Sequence, residues 1–197
     1  MKSGVIDKRI IKTQNAIKGA FRELVQVKEM SDISISELTK KANVTRSTFY
    51  MYYDNVGAVR DDIEDEIIEH LDKVMNETDL AKSMEDPYPL LSALMQETSQ
   101  YDEYNRYILS SSNSGQLLSK VNALVVKSFM KVLAETDPKA DIARFKYVAA
   151  FFSAGICECF KMWYNHRSSL TLEELCRRLS HLASKGIAIA NAPGADD

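Results

Sequence analysis

Glycine and proline are scarce, at 7 and 4 of 197 residues, well under the roughly 12% usual for globular chains. So few turn formers exclude collagen-like and linker architectures and favour long helices. Cysteine is scarcer still, at three, and an odd count in a chain of this length makes no disulfide framework. Cys157 and Cys159 stand two apart, which on a helix puts them on nearly opposite faces. His166 and His181 lack the paired spacing of a zinc site. The thiols therefore read as small core residues, and no metal or cofactor is expected. No apolar run approaches the ~18 residues of a membrane span; the longest, Tyr147 to Cys157, ends at Glu158. Met1-Lys2-Ser3-Gly4 leads into polar sequence with no apolar signal core. A soluble, cytoplasmic protein without a membrane partner is expected. Also missing are a Gly-rich phosphate loop, G-x-S-x-G and H-E-x-x-H, so no enzyme and no catalytic residue is expected.

What remains is 45% hydrophobic and 27% charged, the composition of a folded, mostly helical chain with room for one domain or two small ones. The charge is uneven. Residues 1–60 carry 11 Lys and Arg against 6 Asp and Glu, whereas residues 61–197 carry 14 against 22. A basic first third on an acidic remainder suggests that one end meets a polyanion.

The spacing of residue types inside the basic segment sharpens this. Ile10, Ala16, Ile17, Ala20, Phe21, Leu24 and Val25 follow helical periodicity over residues 7–28, with Asp7 as the expected cap. Lys8, Arg9, Lys12, Lys18 and Arg22 decorate that helix, mainly near its start, where they oppose the helix dipole unless an anion lies close. Ser34-Ile35-Ser36-Glu37 is an S-x-x-E capping box. It opens a short helix whose inward face is Ile35, Leu38 and Ala42. Asn43 tolerates the left-handed backbone of a tight turn, Val44 plugs that turn, and Thr45 caps a third helix over Arg46–Tyr53. Two helices of about eight residues joined by three or four form a helix-turn-helix.

On the third helix Phe49 and Tyr53 point inward, leaving Arg46, Ser47, Thr48, Tyr50, Met51 and Tyr52 at the surface. Hydroxyls on Thr45, Thr48, Tyr50 and Tyr52 are neutral donors suited to phosphate oxygens. Arg46 and Ser47 sit at the helix start, the part of a recognition helix that reaches base edges, and Arg46 has the geometry to grip guanine O6 and N7. The candidate DNA contacts are Ser34, Thr45, Arg46, Ser47, Thr48, Tyr50, Met51 and Tyr52.

The stretch ISISELTKKANVTRSTFYMYYDN, Ile33 to Asn55, resembles the DNA-binding signature of TetR-family transcriptional regulators. The likeness covers about the first third of the chain, and the acidic remainder resembles that family's ligand-binding and dimerisation region more loosely. Two positions depart from the family pattern: Asn43 stands where glycine is usual, and Val56 where lysine follows the asparagine that opens helix four. Arg60 lies one turn further on. The resemblance implies an all-α fold with a helix-turn-helix domain over residues 1–55 and an effector-binding and dimerisation domain over residues 56–197. It further implies double-stranded DNA as partner, an unidentified small-molecule effector, a homodimer through the last two helices and, most often, repression.

Beyond Val56 the sequence predicts a helix to about Glu77 with Ile63, Ile67, Leu71 and Val74 inward. An acidic face of Asp61, Asp62, Glu64, Asp65, Glu66 and Glu69 reads as solvated. Further helices are expected near 88–101, 103–110, 115–134, 139–166 and 171–190, with breaks at Asp86-Pro87, Ser110–Gly115 and Asp137-Pro138. Phe145, Val148, Ala149, Phe152, Ile156, Phe160 and Trp163 line one of the last two helices. Leu172, Leu175, Leu179, Leu182, Ala183 and Ile187 line the other, with Thr171 and Glu174 as its capping box. These apolar faces exceed what one small domain buries, which favours a helix-packed dimer. Candidate pocket residues are Tyr88, Met95, Tyr104, Tyr107, Phe129, Phe152 and Trp163, with Tyr101 beside them; the tyrosines suggest an amphipathic, aromatic ligand. The alternative function is a TetR-like helical binding module that has lost its operator and binds a small molecule or a protein.

Overall fold

A computed structural model describes residues 8–101, 104, 107, 109, 114–137, 141–165 and 170–190. The described residues form nine α-helices and no strand: α1 (Lys8–Leu24), α2 (Ile35–Lys41), α3 (Arg46–Tyr50), α4 (Val56–Glu77), α5 (Leu80–Glu85), α6 (Tyr88–Thr98), α7 (Ser114–Thr136), α8 (Ile142–Asn165) and α9 (Leu172–Ala190). The fold is all-α, as the composition suggests. The Asp7 cap, most of the expected helix 103–110, and the tail from Asn191 lie outside the described residues. The chain divides into two compact units after Glu66, within α4.

In the first unit, α1 buries Ile17, Ala20, Phe21 and Leu24, the i, i+3, i+4, i+7 stripe of an amphipathic helix. It packs on α2, which packs on α3. Leu38 of α2, Phe49 of α3 and Val59 and Ile63 of α4 are fully buried with it, each side chain contributing about 1.5–3 kcal/mol by removal from water.

The helix ends are set by short-range bonds. Ser34 Oγ accepts from the Glu37 amide at 3.2 Å. The return arm of the expected capping box is replaced, because the Glu37 carboxylate takes Lys28 Nζ at 2.8 and 2.9 Å and ties the α1–α2 connection to the start of α2. At its other end α2 closes in a Schellman motif: Val44 N–H donates to the Thr39 carbonyl at 3.0 Å and Asn43 N–H to the Lys40 carbonyl at 3.3 Å. Asn43 has φ 53°, the left-handed conformation that this motif requires and that asparagine tolerates. Thr45 Oγ1 then accepts from the Thr48 amide at 3.0 Å and starts α3. The two helices are shorter than the pattern predicts, seven and five residues. Past Tyr50 the chain tightens, with Tyr52 N–H bonded to the Phe49 carbonyl three residues back, and Tyr53 is carried into the core.

The acidic face of α4 is not uniformly solvated. Glu64 is wholly buried, with Arg60 Nε 3.8 Å from its carboxylate. Asp62 and Glu66 face α1, where Lys18 Nζ lies 3.5 and 3.0 Å from them and Arg22 lies 3.6 Å from Glu66. The run of acids thus supplies counter-ions to the first helix.

In the second unit α7 pairs with α8, and α9 packs on α5, α6 and α8. Its clusters are Leu91, Phe160, Leu175, Cys176 and Leu179, and Met75, Leu80 and Leu90. Helix α5, which the pattern misses, is capped by Asp79 on the Lys82 amide at 3.1 Å. The box that opens α9 is complete: Thr171 Oγ1 accepts from the Glu174 amide at 3.1 Å, and Glu174 Oε2 accepts from the Thr171 amide at 2.8 Å. Those bonds hold the Glu174 carboxyl below its ordinary pKa.

Candidate nucleic-acid interface and effector cavity

The helix-turn-helix presents α3 with its buried side anchored by Phe49, fully enclosed, and Tyr53. The Tyr53 hydroxyl donates to Asp62 Oδ2 at 2.6 Å. Burial first, then that carboxylate, raises the phenol's pKa and keeps it protonated. The acceptor lies on α4, so the end of the recognition helix is fixed by a charge-assisted bond as well as by packing.

The opposite side carries the residues expected to meet DNA. Arg46, Ser47, Tyr50 and Met51 are exposed, Thr48 and Tyr52 half-buried. Thr45, Ser47 and Thr48 share a hydroxyl cluster, with Thr45 Oγ1 3.2 Å from Ser47 Oγ and 2.8 Å from Thr48 Oγ1. A hydroxyl has one hydrogen and two lone pairs, so this cluster retains capacity toward a phosphate. Ser34, exposed at the cap of α2, uses its oxygen as an acceptor and keeps its hydrogen to donate. All eight candidates therefore lie in one compact stretch at the α2–α3 face or its flank. The sequence pattern misses Ser36: the Arg46 guanidinium donates to its hydroxyl across the turn. That bond orients the arginine at the start of α3. A serine two residues after a helix cap is the only local signal for it.

The basic balance of this unit is partly internal. Lys18, Arg22, Lys28, Lys41 and Arg60 are engaged with Asp62, Glu66, Glu37, Glu23, Asp61 and Glu64. Lys8, Arg9, Lys12, Lys40 and Arg46 remain exposed. Arg60, one turn after Val56, is turned toward its own chain, 2.6 Å from Asp61. Asn55 Oδ1 accepts from the Ala58 amide at 3.0 Å and caps α4 as expected.

The second unit contains a partly open cavity of about 180 Å³. Its wall is drawn from the last turns of α4 (Ile67, Leu71, Met75), from α6 (Leu91, Leu94, Met95), from α7 (Val121, Val125, Phe129) and from α8 (Val148, Phe152, Ile156, Phe160). Of the expected pocket residues, Met95, Phe129 and Phe152 line it; Tyr88, Tyr104, Tyr107 and Trp163 do not, nor does Tyr101. Tyr88 lies beneath the Arg177 guanidinium, 4.6 Å from ring centroid to Cζ. The Trp163 indole N–H donates to the Leu170 carbonyl at 2.8 Å. Tyr101 bonds His70 Nδ1 at 3.1 Å, and Tyr104 is packed at 1% exposure. Those tyrosines thus serve as polar-tipped structural residues, and the described wall is mostly aliphatic, with phenylalanine and Tyr164.

A helix-turn-helix whose third element presents hydroxyls and an arginine, followed by a helical unit with an apolar cavity, defines a DNA-binding regulator by class. Residues 85–185, just over half of the chain, match the family model TetR_C_8, the transcriptional regulator C-terminal region. The chain belongs to the TetR family of transcriptional regulators. Over 51 residues it is 39% identical to YxbF of Bacillus subtilis strain 168, an uncharacterized HTH-type transcriptional regulator. That match covers 25% of this chain and only 13% of YxbF. Two solved structures share the fold. The dihydroxyacetone kinase operon activator DhaS has 21% identity and a TM-score of 0.66, covering 91% of this chain and 98% of that one. A TetR transcriptional regulator from Streptococcus agalactiae 2603V has 22% identity and a TM-score of 0.64, covering 91% and 97%. No described helix is long and apolar enough to cross a membrane.

Proposed function

We propose that the protein is a ligand-responsive, sequence-specific DNA-binding regulator that acts as a homodimer on a palindromic operator. In this reading the DNA-binding part is residues 1–55, and the effector and dimer part is residues 56–197. The observation that carries it is the exposed start of α3, where Arg46 and the hydroxyls of Thr45, Ser47 and Thr48 stand together on a helix locked from behind by Phe49 and Tyr53. Ser34, Tyr50, Met51 and Tyr52 flank that set. The phosphate-directed hydroxyls would position the helix and Arg46 would read a base edge.

The homodimer is supported by α8 and α9. Tyr147, Phe151 and Met162 are 79%, 73% and 53% exposed on α8, at positions that share one face, and Leu182 of α9 is 64% exposed. A self-complementary pairing about a two-fold axis would bury them. It would also set the two recognition helices at a spacing matched to successive turns of the duplex, about 34 Å.

Ligand response is supported by the cavity and by α4, which is one unbroken helix. Its Ile67, Leu71 and Met75 line the cavity, and its Asp62 and Glu66 hold Tyr53, Lys18 and Arg22. An effector that favours one position of that helix would change the DNA affinity by its differential affinity for the two states.

The test is fluorescence anisotropy of a duplex from the gene's own upstream region, at two salt concentrations. Binding tighter than to scrambled duplex, weakening with salt, supports the regulator. Weak binding that ignores salt and sequence would leave the helical module that binds a small molecule or protein. The sign is read from a promoter fusion in a deletion strain: a rise in transcription means a repressor, as the family most often is, and a fall means an activator.

A further inference from the structure

The chemistry of the cavity narrows the effector it would take. Among the described residues, no lysine, arginine, histidine, aspartate or glutamate lines it. A carboxylate, phosphate or ammonium brought inside would lose its hydration with no counter-ion to replace it. The polar side chains on the described wall are Ser83, Thr98, Ser153, Cys157 and Tyr164, and most are already committed. Ser83 Oγ donates to the Asp79 carbonyl at 2.8 Å and Thr98 Oγ1 to the Met95 carbonyl at 3.1 Å, so both hydroxyls are spent on their own helices. Burial pushes the Cys157 thiol up to about 11, which keeps it neutral and unreactive at physiological pH.

Ser153 differs. It lies on α8, lines the cavity and is 6% exposed. Its Oγ is sealed from solvent with no oxygen or nitrogen partner among the described residues, and its contact is with the Cys157 thiol one turn further along. A buried hydroxyl without a strong partner is a standing cost that a ligand group can relieve. The space fits a modest hydrocarbon: about 180 Å³ compares with the roughly 150 Å³ engineered cavity that accepts benzene.

We propose that the cavity binds an uncharged, oxygenated hydrocarbon of about six to ten carbons, such as a medium-chain alcohol, ketone or ester, whose single polar group meets Ser153 while its carbon body packs on Met95, Phe129 and Phe152. This rests on the reading of the second unit as an effector domain. It departs from the aromatic, amphipathic ligand that the tyrosines suggest, because those tyrosines lie off the wall.

The chain carries one tryptophan. Trp163 packs against the cluster of Leu91 and Phe160, both of which line the cavity, so its fluorescence reports occupancy. The full-length protein is titrated at pH 8 with 1-octanol, with octanoate and with cyclohexane. The expected result is saturable binding of 1-octanol, at least tenfold weaker binding of octanoate, and a five- to tenfold loss for 1-octanol in Ser153→Ala with cyclohexane unchanged. Ser153→Ala removes an unsatisfied hydroxyl and should melt no lower than wild type, so a folding defect is not a rival explanation. Octanoate as tight as 1-octanol, an unchanged 1-octanol affinity in Ser153→Ala, or no saturable binding of 1-octanol each overturns the proposal.

Repeating the operator titration with and without 1-octanol separates the two readings. Ser153-dependent binding that leaves DNA affinity untouched upholds the cavity chemistry and sinks the effector role. Release of DNA by a charged ligand, with no response to 1-octanol, does the reverse.

Discussion

Among the described residues, 8–66 hold seven of the ten largest fully buried side chains, Ile17, Phe21, Leu38, Phe49 and Ile63 among them, although they are the shorter part of the chain. The longer part, from Ile67 onward, has Ile67, Met75 and Tyr104 in that set. It leaves a cavity of about 180 Å³ inside and Tyr147, Phe151 and Leu182 bare outside. Both units also bare apolar side chains, Val27 and Met51 in the first among them, so the contrast lies inside: the first unit is filled, and the second keeps space within. That difference is what the proposed function asks for: a rigid element gives specificity, and a loosely filled one has two states to offer.

The largest test of this contrast is a matched pair of truncations. Phe49→Ala empties a fully enclosed site and should cost about 3–5 kcal/mol. Phe152→Ala removes a half-buried ring that already borders a cavity, and should cost under about half as much because less new void is created. Urea denaturation followed by circular dichroism measures both, and Trp163 fluorescence follows the second unit. Equal losses would mean that the second unit is as tightly packed as the first.

Next in size is Arg46→Ala. With Arg46 at the exposed start of α3, specific operator binding should fall by about 1–3 kcal/mol and base preference should relax at one position per half-site. Binding to random duplex should change little. Equal losses on both would assign Arg46 to the phosphates and leave the first unit without its proposed reader. Ser36→Ala tests the orientation of that arginine, with a loss smaller than that of Arg46→Ala.

Thr45→Ala is smaller, about 1 kcal/mol, the usual worth of a helix cap. It bears on how much of the molecule the sequence discloses. Thr45, Ser34, Asn43, Asn55 and the pair Thr171 and Glu174 act on atoms two to five residues away, so their roles are legible in a string of letters. The amphipathic stripes of α1, α4, α8 and α9 are legible for the same reason. Contacts made across the fold are not. Glu64 sits in a run of acids, and nothing near it in sequence says that it is buried while Asp65 beside it is exposed. Trp163 and Tyr88 share the periodicity of Phe152 and Met95, yet the first two turn to Leu170 and Arg177 and the latter two to the cavity. Which aromatic meets a ligand is decided by how helices cross, and periodicity carries no crossing angle. Helix α5 escapes notice because six residues between Asp79 and Asp86 are too few to show a period.

The smallest effect at neutral pH is electrostatic, and it emerges only in alkali. Tyr53 in the first unit and Cys157 in the second both have acid groups whose pKa is raised by burial first. The unfolded chain releases each proton at its ordinary value, near 10.0 for tyrosine and 9.0 for cysteine. The folded chain retains it to a higher pH. Each group's contribution is therefore whole below the ordinary value and drains away as pH climbs through the raised one. For Cys157 that window runs from about 9 to about 11; for Tyr53 it opens near 10 and extends upward. Cys157→Ala should flatten the loss of stability seen by Trp163 between those limits. Tyr53→Phe sacrifices the bond to Asp62 at every pH, yet it should decline less steeply than wild type above pH 10, because it has no proton to lose. The two slopes are separable by substitution, and the order of the windows is fixed by which acid each unit buries. If Tyr53→Phe declined as steeply as wild type, the phenol would not be held protonated against Asp62. The first unit's rigidity would then rest on Phe49 and its neighbours alone.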